Sequence, residues 1–326
     1  HAIPAYRLPH EVVDADIANL TSLGVEIECD APVTDLVALK EEGGYDAVVV
    51  ATGTQVATRM GVPNEDAAGS VTGLDFLADV ANGHAPDLTG KRVAIVGGGN
   101  VAMDAARVSL RLGAAEARVV YRRTRDEMPA HHVEADDAQA EGAVFDFLVA
   151  PVEVLAADGR VTGLRLQRMR LGAPDASGRR SPEPVPGATS TVGCDVVIST
   201  IGMSPDAGLY EGVVPVGRGQ RIAVDPRTLQ AGLPYLFAAG DVTAGATDIT
   251  RAIGSGRRAA HMVDRWLTGR PLTGFTALDD RLDTVTHDQV LSRQTAYGHR
   301  NPVKGEVALR SMPHDFDEVE APLTAA

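Results

Sequence analysis

Gly97, Gly99 and Ala102 stand at Gly-x-Gly-x-x-Ala spacing inside VAIVGGGNVAMDAAR, between an apolar run and a helix-forming run. The first glycine of such a turn permits a tight reversal. The second lets backbone approach a pyrophosphate, and the small third residue lets helix and strand pack closely. The helix that follows presents free N–H groups and a partial positive charge. Gly97, Gly98, Gly99, Asn100, Val101 and Ala102 are therefore candidate ligands of a nicotinamide dinucleotide's phosphates. The alternative is a tight turn with a purely structural purpose.

The end of the next strand selects between dinucleotides. NAD sites carry an acidic residue about 20 residues on, to bind the ribose 2′-hydroxyl. At that distance from Ala102 this chain has Arg122 and then Arg123, flanked by Arg118 and Arg125. The whole chain holds 30 basic against 44 acidic residues, so this arginine cluster is a local reversal of sign. Guanidinium groups suit a 2′-phosphate, and each charge-assisted hydrogen bond contributes about 1.5–3 kcal/mol. The cluster favours NADP(H) over NAD(H), against the plain alternative of a solvated strand end with incidental charge.

Several elements must position these residues. Lys91–Val96 reads as a buried strand and Val101–Leu112 as the helix after the glycines. Arg118–Tyr121 is the next strand and His131–Glu141 a solvated acidic helix. In that helix His131 and His132 beside Glu134, Asp136 and Asp137 make a metal site conceivable. Val144–Leu148, Val152–Ala156 and Arg160–Met169 form a β-meander, followed by a polar Gly/Pro-rich loop at 172–188. Upstream, His10–Leu23 has a helical period, Val25–Ile27 a short strand pattern, and Asp46–Ala51 a buried strand pattern. Asp195–Ser199 and Tyr235–Ala239 are further buried strands, with a helix at 249–267. Strands alternating with helices predict an α/β fold on mostly parallel sheets. Beyond Pro271 the pattern fades into an extended segment.

Composition excludes other classes. The 326 residues are 44% hydrophobic and 23% charged, which is globular. The net charge of −14 argues against a nucleic-acid or anionic-membrane surface. No apolar run approaches the roughly 18 residues of a spanning helix. Two cysteines, Cys29 and Cys194, form no CxxC pair, and both suit buried apolar positions. Without a visible signal or transit segment, cytoplasmic residence is the default expectation.

Three strand ends, DAVVVATG at 46–53, DVVISTIG at 195–202 and YLFAAGDV at 235–242, surround the glycine turn in chain order. This arrangement resembles the pyridine nucleotide–disulfide oxidoreductase superfamily, with its two dinucleotide-binding domains. IPAYRLP at 3–9, GGGNVAMDAAR, VVYRRTRDEMPA and LFAAGDV narrow the resemblance to the glutamate synthase small-subunit family, from Ile3 to about Gly269. Relatives in that family include dihydropyrimidine dehydrogenase and flavin subunits of electron-bifurcating and formate- or aldehyde-oxidising complexes.

The resemblance implies two Rossmann-like domains, with an NAD(P) domain at 56–205 inserted into an FAD domain at 1–55 and 206–270, and an extension at 271–326. It implies FAD contacts at Ile3, Pro4, Arg7, Thr52, Gly53, Gly240, Asp241, Ile249 and Thr250, and a further NAD(P) contact at Gly202. Asp241 would accept from the ribityl chain, while the helix starting near Ile249 points its N-terminus at the flavin pyrimidine ring. The first glycine turn of the FAD domain lies upstream of the IPAYRLP-like segment in the family, so an incomplete FAD domain is expected here.

Hydride transfer between nicotinamide C4 and flavin N5 needs stacked rings and excluded water rather than a side-chain acid or base. No Gly-x-Ser-x-Gly elbow or Tyr-x-x-x-Lys pattern competes with that reading. The implied function is FAD-dependent NAD(P)H oxidation or its reverse, with electrons exchanged with an iron–sulfur subunit or domain in a hetero-oligomeric complex. The alternatives are a flavin-free dehydrogenase acting on a small metabolite and a non-catalytic nucleotide-binding subunit. Tyr297, Phe316 and Leu323 mark the extension as a docking segment.

Overall fold

The apolar run RVAIV forms the strand Arg92–Val96, and its last four residues are buried. It lies at the centre of a five-stranded sheet ordered Ser70–Thr72, Val196–Ser199, Arg92–Val96, Glu116–Tyr121, Val144–Phe147. Every pairing in it is parallel. The inner parallel strands Arg92–Val96 and Val196–Ser199 are covered on both faces, which is why they read as continuous apolar runs rather than alternating ones. The computed structural model describes residues 2–175, 178–273 and 316.

The chain divides into two compact units. The first contains 2–26 and Ala57–Ile201, and the second contains Ile27–Val56 and 202–273. The segment expected to stay whole as 1–55 is thus shared between the units. The reason lies in Tyr6, which is fully buried within the first unit's core, and Arg7, which pairs with Asp104 there.

In the first unit, the helix Asn100–Arg111 packs on the sheet through Ala102, Met103, Ala105 and Ala106, all at zero exposure. Small residues let its axis approach the strands closely. The helix Gly73–Ala81 packs beside it, N-capped by the Thr72 hydroxyl. A three-stranded antiparallel sheet follows, formed by Val149–Ala157, Arg160–Pro174 and Arg180–Gly193. The stretch expected as a loop at 172–188 is largely strand. Pro186 and Gly187 fall where the ladder shifts register between Gln167 and Met169, and Gly172 where it shifts between Leu171 and Pro174, while Pro182 and Pro184 pair within it.

In the second unit, Val48–Val50 pairs in parallel with Leu236–Ala238, and the helix Ile249–Leu267 follows. Leu36, Val48, Val50, Tyr210, Ile222 and Leu236 belong to its core. Val49 between two buried valines is 44% exposed, so this strand is not covered on both faces by the described residues. Val25–Ile27 is not a strand. The helix His10–Ser22 forms, with no buried residue.

Candidate dinucleotide-binding site

The three glycines of the turn differ in what holds them. Gly97 has φ +146°, and a β-carbon there would lie 2.2 Å from Thr200 Oγ1 and 2.6 Å from Thr200 O. A β-carbon on Gly98 would lie 2.6 Å from the Tyr121 ring. Both glycines are thus required by neighbours within the protein. Gly99 is not: at φ −94° it caps the helix, and a β-carbon there would meet only Pro129, at 3.9 Å. Its missing side chain leaves room at the helix N-terminus, which has no side-chain cap. That open, positively polarised cradle fits a pyrophosphate.

The turn is held in place by its surroundings. Gly97 N donates to Val120 O at 3.1 Å, and Ala130 N donates to Gly98 O at 3.0 Å. Asn100 accepts through Oδ1 from His131 N at 2.9 Å, so its side chain fixes the loop after the arginine cluster. Val101 packs against the core, and Ala102 is fully buried. Ser199 Oγ, buried at the C-terminal edge of the same sheet, has no partner among the described residues. Thr200, rather than Gly202, presses on the glycine turn; Gly202 (φ +128°) falls in the second unit.

Three of the four clustered arginines are committed elsewhere. Arg118 pairs with Glu116 and Asp146, each at 2.9 Å. Arg125 pairs with Asp136. Arg123 is only 5% exposed; its Nε donates to Arg180 O and its Nη2 to Asp175, both at 2.7 Å. Arg122 is exposed, and its guanidinium has no hydrogen-bond or ion-pair partner among the described residues. The cluster thus leaves one cation ready for an external anion.

The acidic helix, observed as His132–Ala140, is not simply solvated. Arg107, 1% exposed, forks onto Glu141 at 2.8 and 3.0 Å and also reaches Glu134 and Asp137. Arg111 joins Glu141 at 2.6 Å, and Arg7 joins Asp104 at 2.7 Å and Glu134 at 2.9 Å. The Tyr6 ring lies under both guanidinium carbons, 4.6 Å for Arg107 and 4.0 Å for Arg111. Burial pushes the Glu141 carboxyl up, but hydrogen bonds from Arg111 and Arg107 outweigh it and hold it below the usual range. For Asp104 burial wins, and its carboxyl is raised despite Arg7. Sequence reasoning missed this network. Its signal was two matching stripes, Asp104, Arg107, Arg111 and Glu134, Asp137, Glu141, at identical spacing. No group of three or more His, Cys, Asp or Glu among the described residues could hold a metal. His131 and His132 instead stack at 4.5 Å.

Ile3 is exposed, and Pro4 accepts turn hydrogen bonds from Arg7 N and Leu8 N. In the second unit, Gly240 turns at φ +75° and donates its N–H to Ser255 Oγ at 3.0 Å. Asp241 Oδ1 accepts from Thr247 N at 3.1 Å and Thr247 Oγ1 at 2.6 Å. A cavity of about 800 Å³ lies beside this turn, lined among others by Gly240, Thr243, Thr247, Arg251, Gly254 and Ser255. A β-carbon on Gly254 would meet nothing within 4 Å. A glycine-walled, arginine-bearing cavity fits an anionic dinucleotide. The expected donors at Ile249 and Thr250 stand exposed at the start of their helix, while Arg251 N is already capped by Asp248 at 2.8 Å. Thr52 and Gly53 follow the strand Val48–Val50 outside any regular element, with Gly53 at φ +69°.

Of the cysteines, Cys194 is buried, and burial pushes its thiol up to about 11. Cys29, expected to be buried, is exposed, because the strand expected before it does not form. Phe316, the described residue of the C-terminal extension beyond Thr273, lies half-buried against the first unit's own core. Tyr297 and Leu323 lie outside the described residues. No described helix is long and apolar enough to cross a membrane.

The parallel sheet and its glycine turn define an α/β protein of the dinucleotide-binding type. The chain belongs to the pyridine nucleotide-disulphide oxidoreductase family, whose pattern matches residues 8–259. It is 44% identical over 284 residues to the NADP(+)-dependent formate dehydrogenase subunit beta of Moorella thermoacetica, covering 86% of this chain and 40% of that one. It is 35% identical over 284 residues to the glutamate synthase (NADPH) small chain of Escherichia coli K12, covering 81% of this chain and 60% of that one. The chain thus spans less than two thirds of the length of either relative. Its fold is shared with FprA from Mycobacterium tuberculosis at a TM-score of 0.65 and 20% identity, over 90% of this chain and 80% of that one.

Proposed function

We propose that this chain is a flavoprotein module that exchanges hydride with NADP(H) and passes electrons to or from an iron–sulfur subunit or domain. The observation that carries this reading is the contrast within the glycine turn. Gly97 and Gly98 are demanded by Thr200 and Tyr121, whereas Gly99 leaves a helix N-terminus open. Arg122, exposed without a partner among the described residues, supplies the cation for a 2′-phosphate. Relatives whose names carry NADP(+) or NADPH support that coenzyme.

In the second unit, Gly240, Asp241 and the cavity beside them would hold FAD, with Arg251 opposing its negative charge. FAD supplies the chemistry that accepts two electrons together and releases them singly, which suits an iron–sulfur partner. The chain's own residues bind and orient. The Asp241 carboxylate is an acceptor for a ribityl hydroxyl, and Gly240 keeps that approach free of a side chain. Subunit names among the relatives support assembly with other chains, and residence in the cytoplasm goes with this reading.

The test is purification in the native assembly. The protein should be yellow and bleach on addition of NADPH, and Asp241→Ala should lose the colour. A colourless protein that still turned over a small metabolite would establish a flavin-free dehydrogenase. A colourless, inactive protein would establish a non-catalytic nucleotide-binding subunit.

A further inference from the structure

Ser199 ends the strand Val196–Ser199 and places a hydroxyl in an apolar setting. The strand lies between two others, and Ser199 is in register with Val96 on one side and Thr72 on the other. Ile198 belongs to the core under the helix Asn100–Arg111, whereas Val197 belongs to the core of the opposite face, with Val96, Val154 and Leu164. Strand alternation puts Ser199 on the face of Val197, away from that helix.

The protein gives this hydroxyl no partner. Ser199 is 8% exposed, and its Oγ makes no hydrogen bond among the described residues. The carbonyl of Val96 is already taken twice, by Thr200 N and by Thr200 Oγ1, both at 2.8 Å. Thr200 is wedged in place by two glycines. A β-carbon on Gly73 would lie 2.6 Å from its Cγ2, and one on Gly97 2.2 Å from its Oγ1. The Thr72 hydroxyl is committed to Asp75, donating to its carboxylate at 2.6 Å. A buried hydroxyl left unpaired costs its desolvation, so it calls for a partner from outside the chain.

The topology names that partner. From Arg92–Val96 the chain runs to Glu116–Tyr121 and Val144–Phe147 on one side, then returns to Val196–Ser199 on the other. The strand order therefore reverses between Arg92–Val96 and Val196–Ser199. Ligands of open α/β sheets lie in such a crevice, at the carboxyl ends of the strands. Gly97 follows one of the two carboxyl ends, and Ser199 is the other. A dinucleotide centred on the glycine turn, with its adenosine toward Glu116–Tyr121, sends its other half across Ser199.

We propose that the Ser199 hydroxyl is a direct contact for the nicotinamide-ribose half of the coenzyme. The carboxamide and ribose hydroxyls of that half offer both donors and acceptors, and a serine hydroxyl can answer either. This inference rests on the coenzyme reading given above.

The experiment measures Kd for NADPH and for adenosine 2′,5′-bisphosphate, which is the adenosine half alone, on the full-length protein in its native assembly. Ser199→Ala should raise Kd for NADPH about tenfold and leave that for the bisphosphate within about twofold. The thermal midpoint without ligand should hold or rise, because the variant removes an unpaired buried hydroxyl. If Ser199→Ala fails to fold, Ser199→Cys keeps the volume with only a weak donor and carries the same comparison. An unchanged Kd for NADPH, or equal weakening of both ligands, would overturn the proposal. A lower midpoint without ligand would reveal a partner inside the protein and overturn it too. In each of those cases wild-type binding of both ligands leaves the coenzyme reading standing. If the wild-type protein binds neither ligand, the coenzyme reading fails and the role of Ser199 with it.

Discussion

Thr200 Oγ1 stands 2.2 Å from where a β-carbon on Gly97 would be, so the end of one parallel strand presses directly on the glycine turn of its neighbour. The Thr200 hydroxyl donates to Val96 O at 2.8 Å, and Thr200 N donates to the same carbonyl at 2.8 Å, so neither side can yield. Gly97→Ala should therefore destabilise the protein by on the order of 3 kcal/mol, through positive φ and overpacking together. Gly99→Ala has neither penalty and should leave stability within about 1 kcal/mol. It should nevertheless weaken NADPH binding by roughly tenfold or more, because its methyl group enters the cradle. Thermal unfolding with and without NADPH measures both effects.

Glu141 is the shared carboxylate of Arg107 and Arg111, and all three are buried. Glu141→Gln would leave two buried cations short of a counter-charge, a loss of about 3–5 kcal/mol in chemical denaturation. The pH dependence follows from the lowered carboxyl. Its contribution is complete above the unfolded glutamate value and is withdrawn as pH falls through the lower folded value. The Gln variant should lose that part of the acid limb. Asp104 has the opposite sign, because its raised carboxyl favours the folded state toward low pH.

Arg122 offers the clean coenzyme test because it supports nothing else among the described residues. Arg122→Ala should raise KM for NADPH by about tenfold or more, the loss of one charge-assisted contact. KM for NADH and the thermal midpoint should hardly move.

The two thiols should react very differently. Cys194, with its thiol raised to about 11 by burial, should resist alkylation at pH 8 in the folded protein. Cys29, exposed, should be labelled promptly. Mass spectrometry of the modified chain distinguishes them, and rapid labelling of Cys194 would contradict its placement under the antiparallel sheet.

Much of the architecture was legible before any coordinates. The runs KRVAIV, RVVY and DVVIS announce parallel strands because both faces of such a sheet are covered, and Gly97–Ala102 announce their turn by spacing alone. The arginine cluster was legible as a change of sign. Its division of labour was not, because Arg123 and Arg125 find their acidic partners 52 and 11 residues away, and Arg118 adds to its neighbour Glu116 a second carboxylate 28 residues away. The hairpin at 172–188 was hidden by its prolines and glycines, whose local preference for turns was overridden by pairing across bulges.

The sequence by itself determined the local grammar: which segments alternate, where the chain must turn through glycine, and that a dinucleotide turn opens a helix. Those features depend on φ/ψ preferences and on the period of apolar residues, which a few neighbours suffice to set. Only the tertiary structure decided that Arg122 stands free while Arg123 is spent, that Tyr6 lies beneath two guanidinium groups, and that Glu141 is a buried counter-ion rather than a solvated one. Those outcomes depend on burial and on charges brought together from distant parts of the chain, and neither is a property of any single segment.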